Sequence, residues 1–330
     1  MAPPPEPTRV FSGIQPSGFV HVGNWLGAVR NWVELSTRLD CLFCIVDYHA
    51  VTVPYAAAEM PSRTFEAALT LLACGLDSER GILFVQSHVP EHMELAWVLT
   101  TLAPMGELER MTQFKEKSEA YGVQAGLFMY PVLQAADILL YKADGVPIGE
   151  DQLQHLELTR EVARRFNRAW GETFPEPRPI LTDAPRILAL DGKGKMSKSQ
   201  PEQAIGLLDP PDVIRAKLRG AFTDPARKRR FDPGNPDICN IFFLHHFFSG
   251  PEDIARVDRD CRTAVLGCFE DKMNLAEHVI DTLAPIRERA DELRSDPARV
   301  HAVLAGGAER ASAIARATMD EVRRRMGLRA

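Results

Sequence analysis

Along the first half of the chain, short apolar runs of strand length alternate with stretches whose apolar residues recur at helical spacing. Residues 9–13 read as a strand running into the turn Ile14-Gln-Pro-Ser-Gly18. A helix begins near His21, with Val22, Trp25, Leu26, Val29, Trp32 and Val33 on one face. Residues 41–46 are continuously apolar, as a strand buried on both faces is, and Asp47, Tyr48 and His49 follow at its carboxyl end. A helix is predicted over 57–73, stopped near Gly75, then a strand over 82–85 followed by Gln86, Ser87 and His88. Further helices are predicted over 106–117, through Tyr130, and from the turn at 149–152 to about Trp170, with a short strand at 146–148. Strand and helix in alternation imply an α/β fold built on a doubly wound parallel sheet. Past Ser199 the pattern turns largely helical, starting at Asp209-Pro-Pro-Asp212.

Composition narrows the class without choosing a function. A chain of 330 residues, 45% hydrophobic and 25% charged, is long enough for about two domains with their own cores. Its net charge of −6 advertises no nucleic-acid partner and excludes none, because a local basic face suffices. No apolar run approaches the roughly 18 residues that cross a bilayer. The opening Met1-Ala-Pro-Pro-Pro-Glu-Pro lacks the basic-then-apolar signature of a signal peptide, so a cytoplasmic protein with no membrane partner is expected. Cys41 and Cys44, a lone C-x-x-C inside an apolar strand, read as buried core thiols.

The densest candidate chemistry is Gly192-Lys-Gly-Lys-Met-Ser-Lys-Ser199. Pliable glycines, compact cations and small hydroxyls compose a loop that closes over phosphates, and equally an exposed charged turn. At His21 the helix N-terminus offers free N–H groups and a positive dipole end to an anion, and Gly23 leaves bare backbone for a base or ribose. Such a pattern is common at helix caps, and its weight comes from the lysine loop. Tyr130, Gln134, Asp137 and Tyr141 fall at i, i+4, i+7 and i+11, a polar stripe among Val132, Leu133, Ile138, Leu139 and Leu140. The stripe fits a solvated face or a pocket for an aromatic amino acid. His49 stands at the sheet edge where ligands collect, or is a satisfied structural histidine. Gly149-Glu-Asp-Gln152 is another strand-to-helix turn suited to ribose hydroxyls.

In this order the motifs resemble the class I aminoacyl-tRNA synthetases, and within them the bacterial tryptophanyl branch. They are Phe11-Ser-Gly-Ile-Gln-Pro-Ser-Gly18, His21-Val-Gly-Asn24, Gly106 to Lys117, Tyr130-Pro-Val-Leu-Gln-Ala-Ala-Asp137, Gly149-Glu-Asp-Gln152 and Lys195-Met-Ser-Lys-Ser199. The resemblance runs from Val10 almost to the end. The proline-rich residues 1–8 are expected to form a disordered tail, and the resemblance implies a Rossmann-type catalytic domain over 9–200 and a helical domain over 201–298 that meets the tRNA anticodon. The final helix, 299–330, either packs back on the catalytic domain or faces RNA. The implied reaction joins L-tryptophan to ATP as tryptophanyl-adenylate, releases pyrophosphate, and passes the acyl group to tRNA(Trp), in a homodimer.

That reaction needs no protein nucleophile, because the substrate carboxylate attacks the α-phosphorus and the enzyme positions anions and stabilises charge on the departing pyrophosphate. By resemblance, Lys195 and Lys198 bind pyrophosphate with Mg²⁺, with Lys117 on the same side and Asn24 among the catalytic residues. Gln15, Pro16, Ser17, His21, Gly23 and Asn24 would line ATP, with Gly149, Glu150 and Asp151 near the ribose and Ile187 by the adenine. Met196, Ser197 and Ser199 complete the closing loop. Histidine at position 21 departs from the usual residue of this branch. Physics and resemblance meet at Asp137: an indole has one N–H donor and no acceptor, and a buried carboxylate receiving it is left unpaired by phenylalanine. A site of that kind rejects the analogue by about 10⁴-fold or more. Tyr130, Gln134, His49 and Gln152 would surround the amino acid, with Phe11 and Gly13 on its other face. Gln134 stands where other members carry methionine, which turns packing into a polar contact.

Some members of the branch hold a [4Fe–4S] cluster on cysteines spaced C-x₂₂-C-x₆-C-x₂-C. This chain has Cys239, Cys261 and Cys268 with 21 and 6 residues between them, and Asp271 in the fourth position. A carboxylate suits soft iron less well than a thiolate, so a degenerate iron–sulfur site and free thiols are both open. Arg227-Lys-Arg-Arg230, the densest basic cluster, is an RNA-facing surface or a solvated charge run. Three other functions are weighed. A tyrosyl enzyme shares the lysine loop but needs an acceptor–donor pair for a phenol. A small nucleotidyltransferase lacks that loop and the helical domain. A catalytically silent RNA-binding paralogue would have lost the lysines or the carboxylate that this chain keeps.

Overall fold

In the computed structural model, which describes residues 7–181, 187–198 and 200–328, five parallel strands carry the first of two compact units. The side chains of residues 116, 117, 120 and 121 also lie outside the described set. The strands are β1 (Arg9–Ile14), β2 (Asp40–Ile45), β3 (Ile82–Val85), β4 (Gly145–Ile148) and β5 (Arg178–Leu181), in the order β3-β2-β1-β4-β5. β2 and β3 are buried almost throughout, which is why they read as unbroken apolar runs. β1 pairs with β2 along its whole length, from Arg9↔Asp40 to Ile14↔Ile45, but with β4 only at Val10↔Gly145. Pro147 contributes no N–H to a ladder. The strand order reverses at β1, and the sheet is unpaired between β1 and β4 beyond that one register pair; such a switch point is where open α/β sheets bind ligands.

Two helical expectations need correction. The helix expected over 106–117 is broken into Met105–Glu109 and Thr112–Tyr121, because Met111 adopts φ −59° and ψ 122° and turns its side chain into the core at 2% exposure. The helix after His21 contains a π-helical segment, Trp25–Val29, between Val22–Asn24 and Arg30–Leu35. The wider turn shifts the buried face, so that Val22, Val29, Trp32 and Leu35 are fully buried while Trp25, Leu26 and Val33 are half-buried. β5 was not expected from the pattern, being four residues long, half-exposed and interrupted by Pro179.

The last helix, Pro297–Met326, belongs to the same unit and lies against β3. Arg310 donates to the Ser78 carbonyl at 2.8 Å, Arg325 donates to the Glu172 carbonyl at 2.7 Å, and Arg323 pairs with Glu94. Gly307 permits the approach, since a Cβ there would lie 1.8 Å from the Leu83 carbonyl oxygen of β3. Gly307→Ala therefore forces helix and strand apart. We expect a loss of about 2–3 kcal/mol, within the range for overpacked cores, read as a lowered midpoint in urea unfolding.

The second unit comprises Gly18–Gly27 and Pro185–Ser295. Its helices Pro211–Gly220, Asn240–Phe248, Pro251–Arg262 and Cys268–Ser295 bury Ile214, Leu218, Ile241, Leu244, Val257, Leu275, Val279 and Leu283 at helical spacing. Among the described residues, no helix is long and apolar enough to cross a membrane.

Candidate active site

At the carboxyl ends of β1 and β4 the first unit encloses a cavity of about 290 Å³. β1 contributes Phe11 and Gly13, with Gln15 just beyond it, and β4 leads into Gly149 and Gln152. His49 enters from the turn after β2. The helix Ala125–Leu140 contributes Tyr130, Gln134 and Asp137, so the polar stripe faces a cavity and not solvent. Tyr141, the last member of that stripe, lies beneath the cavity, fully buried and stacked on Phe11 with ring centroids 5.6 Å apart.

Asp137 is 1% exposed and both of its oxygens are bound. Oδ1 accepts from Gln86 Nε2 at 2.7 Å and lies 2.7 Å from His92 Nδ1, while Oδ2 lies 2.8 Å from His49 Nε2. Burial alone would raise its pKa, but the hydrogen bonds and charge of His49 and His92 hold it below the ordinary carboxylate value, so it is ionised at neutral pH. Tyr130 is fixed at its hydroxyl, which lies 2.8 Å from His155 Nε2 and donates to Gln113 Oε1 at 3.2 Å. Gln86 and His92 did not emerge as site residues from the sequence. Gln86 carried the same signal as His49, a polar residue at the carboxyl end of an apolar strand; His92 carried none, because its partner is 45 positions away.

The lysine loop is a tight hairpin in the second unit. Leu188 and Lys195 form an antiparallel bridge, Met196 N–H donates to the Ile187 carbonyl at 2.9 Å, and Met196 is buried as the anchor. Gly192 and Gly194 sit at φ +73° and +74°, so they are turn residues in the left-handed region and not merely pliable. His21 caps its helix: Asn24 N–H donates to its Nδ1 at 3.3 Å, and the Asn24 side chain accepts from the His21 N–H at 3.2 Å. Burial, then Lys198 and Lys195, push His21 down to about 4, so the ring is neutral at pH 7 and keeps Nδ1 as an acceptor. Burial pushes the Lys198 amine down to about 8. A Cβ at Gly23 would lie 3.0 Å from His21 Nδ1 and 3.6 Å from Ile187. Gln15, Pro16, Ser17, Gly149, Glu150 and Asp151 fall in the first unit, and His21, Gly23, Asn24, Ile187 and Lys195 to Lys198 in the second. Ser199 and the Lys117 side chain lie outside the described residues.

Residues 4–284 match the family model of class I tRNA synthetases of the tryptophan and tyrosine type. The chain belongs to that family. This class I synthetase is 52% identical to the tryptophan–tRNA ligase of Deinococcus radiodurans over 97% of its own length and 98% of the relative's. It is 47% identical to that of Gloeobacter violaceus over 98% and 97%. It superposes with a TM-score of 0.90 and 32% identity on the tryptophanyl-tRNA synthetase of Campylobacter jejuni, crystallised with ADP and tryptophan, over 97% of this chain and all (100%) of that one.

The cysteine positions of this class I synthetase do not fit the cluster that their spacing suggested. Cys239, Cys261, Cys268 and Asp271 line a cavity of only about 10 Å³, room for about one water. The Arg227 guanidinium lies within hydrogen-bonding reach of two of the sulfurs, with Nη1 3.9 Å from Cys261 Sγ and 3.7 Å from Cys268 Sγ. Its Nη2 is held by the carbonyls of Leu266 at 2.7 Å and Arg230 at 3.0 Å. Asp271 Oδ1 lies 3.2 Å from His245 Nε2, and burial raises the Cys239 and Cys261 thiols above their ordinary value, which favours the protonated form. Among the described residues, no group of His, Cys, Asp and Glu side chains is arranged to hold a metal ion.

Proposed function

We propose that the chain is a tryptophan–tRNA ligase that forms tryptophanyl-adenylate from L-tryptophan and ATP, releases pyrophosphate, and esterifies tRNA(Trp). The observation that carries this reading is Asp137. A carboxylate offers about four acceptor positions. The protein fills two on Oδ1 and one on Oδ2, which leaves one on Oδ2, for an indole N–H. A phenol in the same place would bring an oxygen that asks for a donor as well, and the benzene ring of phenylalanine would bring nothing.

In the first step the tryptophan carboxylate oxygen bonds to the α-phosphorus as the bond to pyrophosphate breaks. Lys195 and Lys198 hold the departing charge, assisted by Lys117, and Asn24 orients the nucleotide. Mg²⁺, entering with ATP, supplies charge neutralisation on the phosphates. In the second step a terminal ribose hydroxyl of the tRNA displaces AMP from the acyl carbon. Tyr130, Gln134, His49 and Gln152 hold the amino acid, with Phe11 and Gly13 on the opposite wall, while Gln15, Pro16, Ser17, Gly23, Gly149, Glu150, Asp151 and Ile187 hold the nucleotide. His21 acts as a neutral cap that fixes the first turn of the helix beside the nucleotide, with its Nδ1 on the Asn24 N–H. Of the basic run 227–230 in the helical unit, Lys228, Arg229 and Arg230 support an RNA-facing role, while the Arg227 guanidinium is turned inward onto the cysteines. The protein works in the cytoplasm as a homodimer.

The reading is tested by amino-acid-dependent ATP–pyrophosphate exchange. Exchange is expected with tryptophan and not with phenylalanine or tyrosine. Exchange with tyrosine would assign the sister activity, and exchange with none of the three would favour a silent paralogue.

A further inference from the structure

Beneath the cavity, and outside its lining, the structure holds a buried chain of polar groups that ends on Asp137. We propose that His92, oriented by Tyr141, is a specificity-determining positioning residue, which locks the Asp137 carboxylate so that its one open acceptor position faces the indole N–H. This inference rests on the proposed activation of tryptophan and adds to it the groups that make Asp137 selective.

The donors to Asp137 Oδ1 follow from their other partners and from the carboxylate's charge. Gln86 Oε1 accepts from the Tyr48 N–H at 3.1 Å, so its amide nitrogen is the atom that faces Asp137 Oδ1, at 2.7 Å. The ionised carboxylate is an acceptor only, so His92 carries a proton on Nδ1, 2.7 Å from the same oxygen. On the far side of the ring, Nε2 lies 2.8 Å from the Tyr141 hydroxyl, an atom that can donate or accept and so holds the ring in either state. Both side chains are 0% exposed, so no water competes for either bond. Tyr141 also stacks on the cavity wall Phe11 and meets Phe84 edge-on, which fixes its hydroxyl in space.

The chemistry follows from the site's low polarity. A buried carboxylate deprived of donors takes up a proton, becomes an O–H donor, and no longer prefers an N–H partner. The titratable groups facing Asp137 are His49 on the cavity side, His92 below it and Cys44 on β2, with Tyr141 reached through His92. Of these, His92 is the one that touches Asp137 and neither lines the cavity nor is available to substrate. Its loss would leave Gln86 and His49 alone to hold the charge.

The test compares tryptophan-dependent exchange between pH 5.5 and 8.5 in the intact protein and three variants. His92→Leu removes the donor, His92→Asn keeps an amide N–H near the Nδ1 position, and Tyr141→Phe removes only the hydroxyl while keeping the ring on Phe11. With His92→Leu, the KM for tryptophan is expected to rise tenfold or more and to acquire an acid limb absent from the intact protein, with the KM for ATP unchanged. His92→Asn should restore most of the affinity and flatten the limb. Tyr141→Phe should shift KM in the same direction by a few-fold. A folded His92→Leu with the intact protein's KM and pH profile overturns the inference, as does an equal loss toward tryptophan and ATP. Should His92→Leu fail to fold, an unchanged tryptophan KM in Tyr141→Phe overturns it. Absence of tryptophan-dependent exchange in the intact protein overturns the underlying reading, and the inference with it.

Discussion

Replacing Asp137 with asparagine is expected to lower kcat/KM for tryptophan in pyrophosphate exchange by about 100-fold, or about 2.7 kcal/mol, while leaving the fold close to intact. The hydrogen-bond geometry separates the two effects. In the variant, Oδ1 still accepts from Gln86 and His92, which lie 2.7 Å away. The new amide nitrogen then faces His49 Nε2, now 2.8 Å from Oδ2, and His49 can carry its proton on Nδ1 and accept. Only the indole is left without a partner, because the amide meets its N–H with another donor. Weak exchange with phenylalanine, if measurable, should be unchanged. A drop in thermal midpoint with unaltered selectivity would place the indole contact elsewhere.

Removing the Lys198 amine is expected to lower kcat by about 10²–10³-fold with little change in tryptophan affinity, the size found when one donor to a developing charge is deleted. A second readout uses the proton. Without nucleotide, burial holds Lys198 near a pKa of about 8, so at pH 8.5 it is mostly neutral. Phosphates beside it favour the charged form and raise the pKa, so ATP binding at that pH should take up a proton, seen by calorimetry in two buffers of different ionisation heat. At pH 6.5 the amine is already charged and uptake from this group should vanish. Lys198→Ala should abolish this uptake at pH 8.5 and leave pH 6.5 unchanged. If intact protein and variant take up equal numbers of protons at pH 8.5, Lys198 does not face the phosphates.

What the sequence made legible depended on whether a signal was local. β2 and β3 stood out because burial on both faces leaves an uninterrupted apolar run, and the turn residues around Gly13 and Gly149 marked the sheet's binding edge. The stripe of Tyr130, Gln134 and Asp137 was visible as helical periodicity, but only its surroundings could tell cavity from solvent. The π-helical turn at Trp25–Val29 left no mark, since it changes which residues are buried without changing which are apolar. The break at Met111 was hidden among good helix formers, where packing of one methionine outweighed propensity. His92 and Tyr141 were silent because a buried polar group looks like any other until its partner, far along the chain, is placed beside it. The cysteine spacing left a cluster site and free thiols both open, and only the placement of an arginine against two of the sulfurs bears on the choice.

The seating of the last helix on β3 bears on how the protein is made. The first unit draws on residues up to Ala184 and then on nothing until Asp296, so a ribosome building it must emit the whole second unit in between. At about 5–20 residues per second, the interval from Ala184 to the end of the chain is roughly 7–30 seconds. During that time β3, an outer strand of the sheet, has no final helix against it, and its backbone can recruit another nascent strand. Delay or premature termination in the last 35 residues should therefore show as aggregation and not as a milder loss of activity.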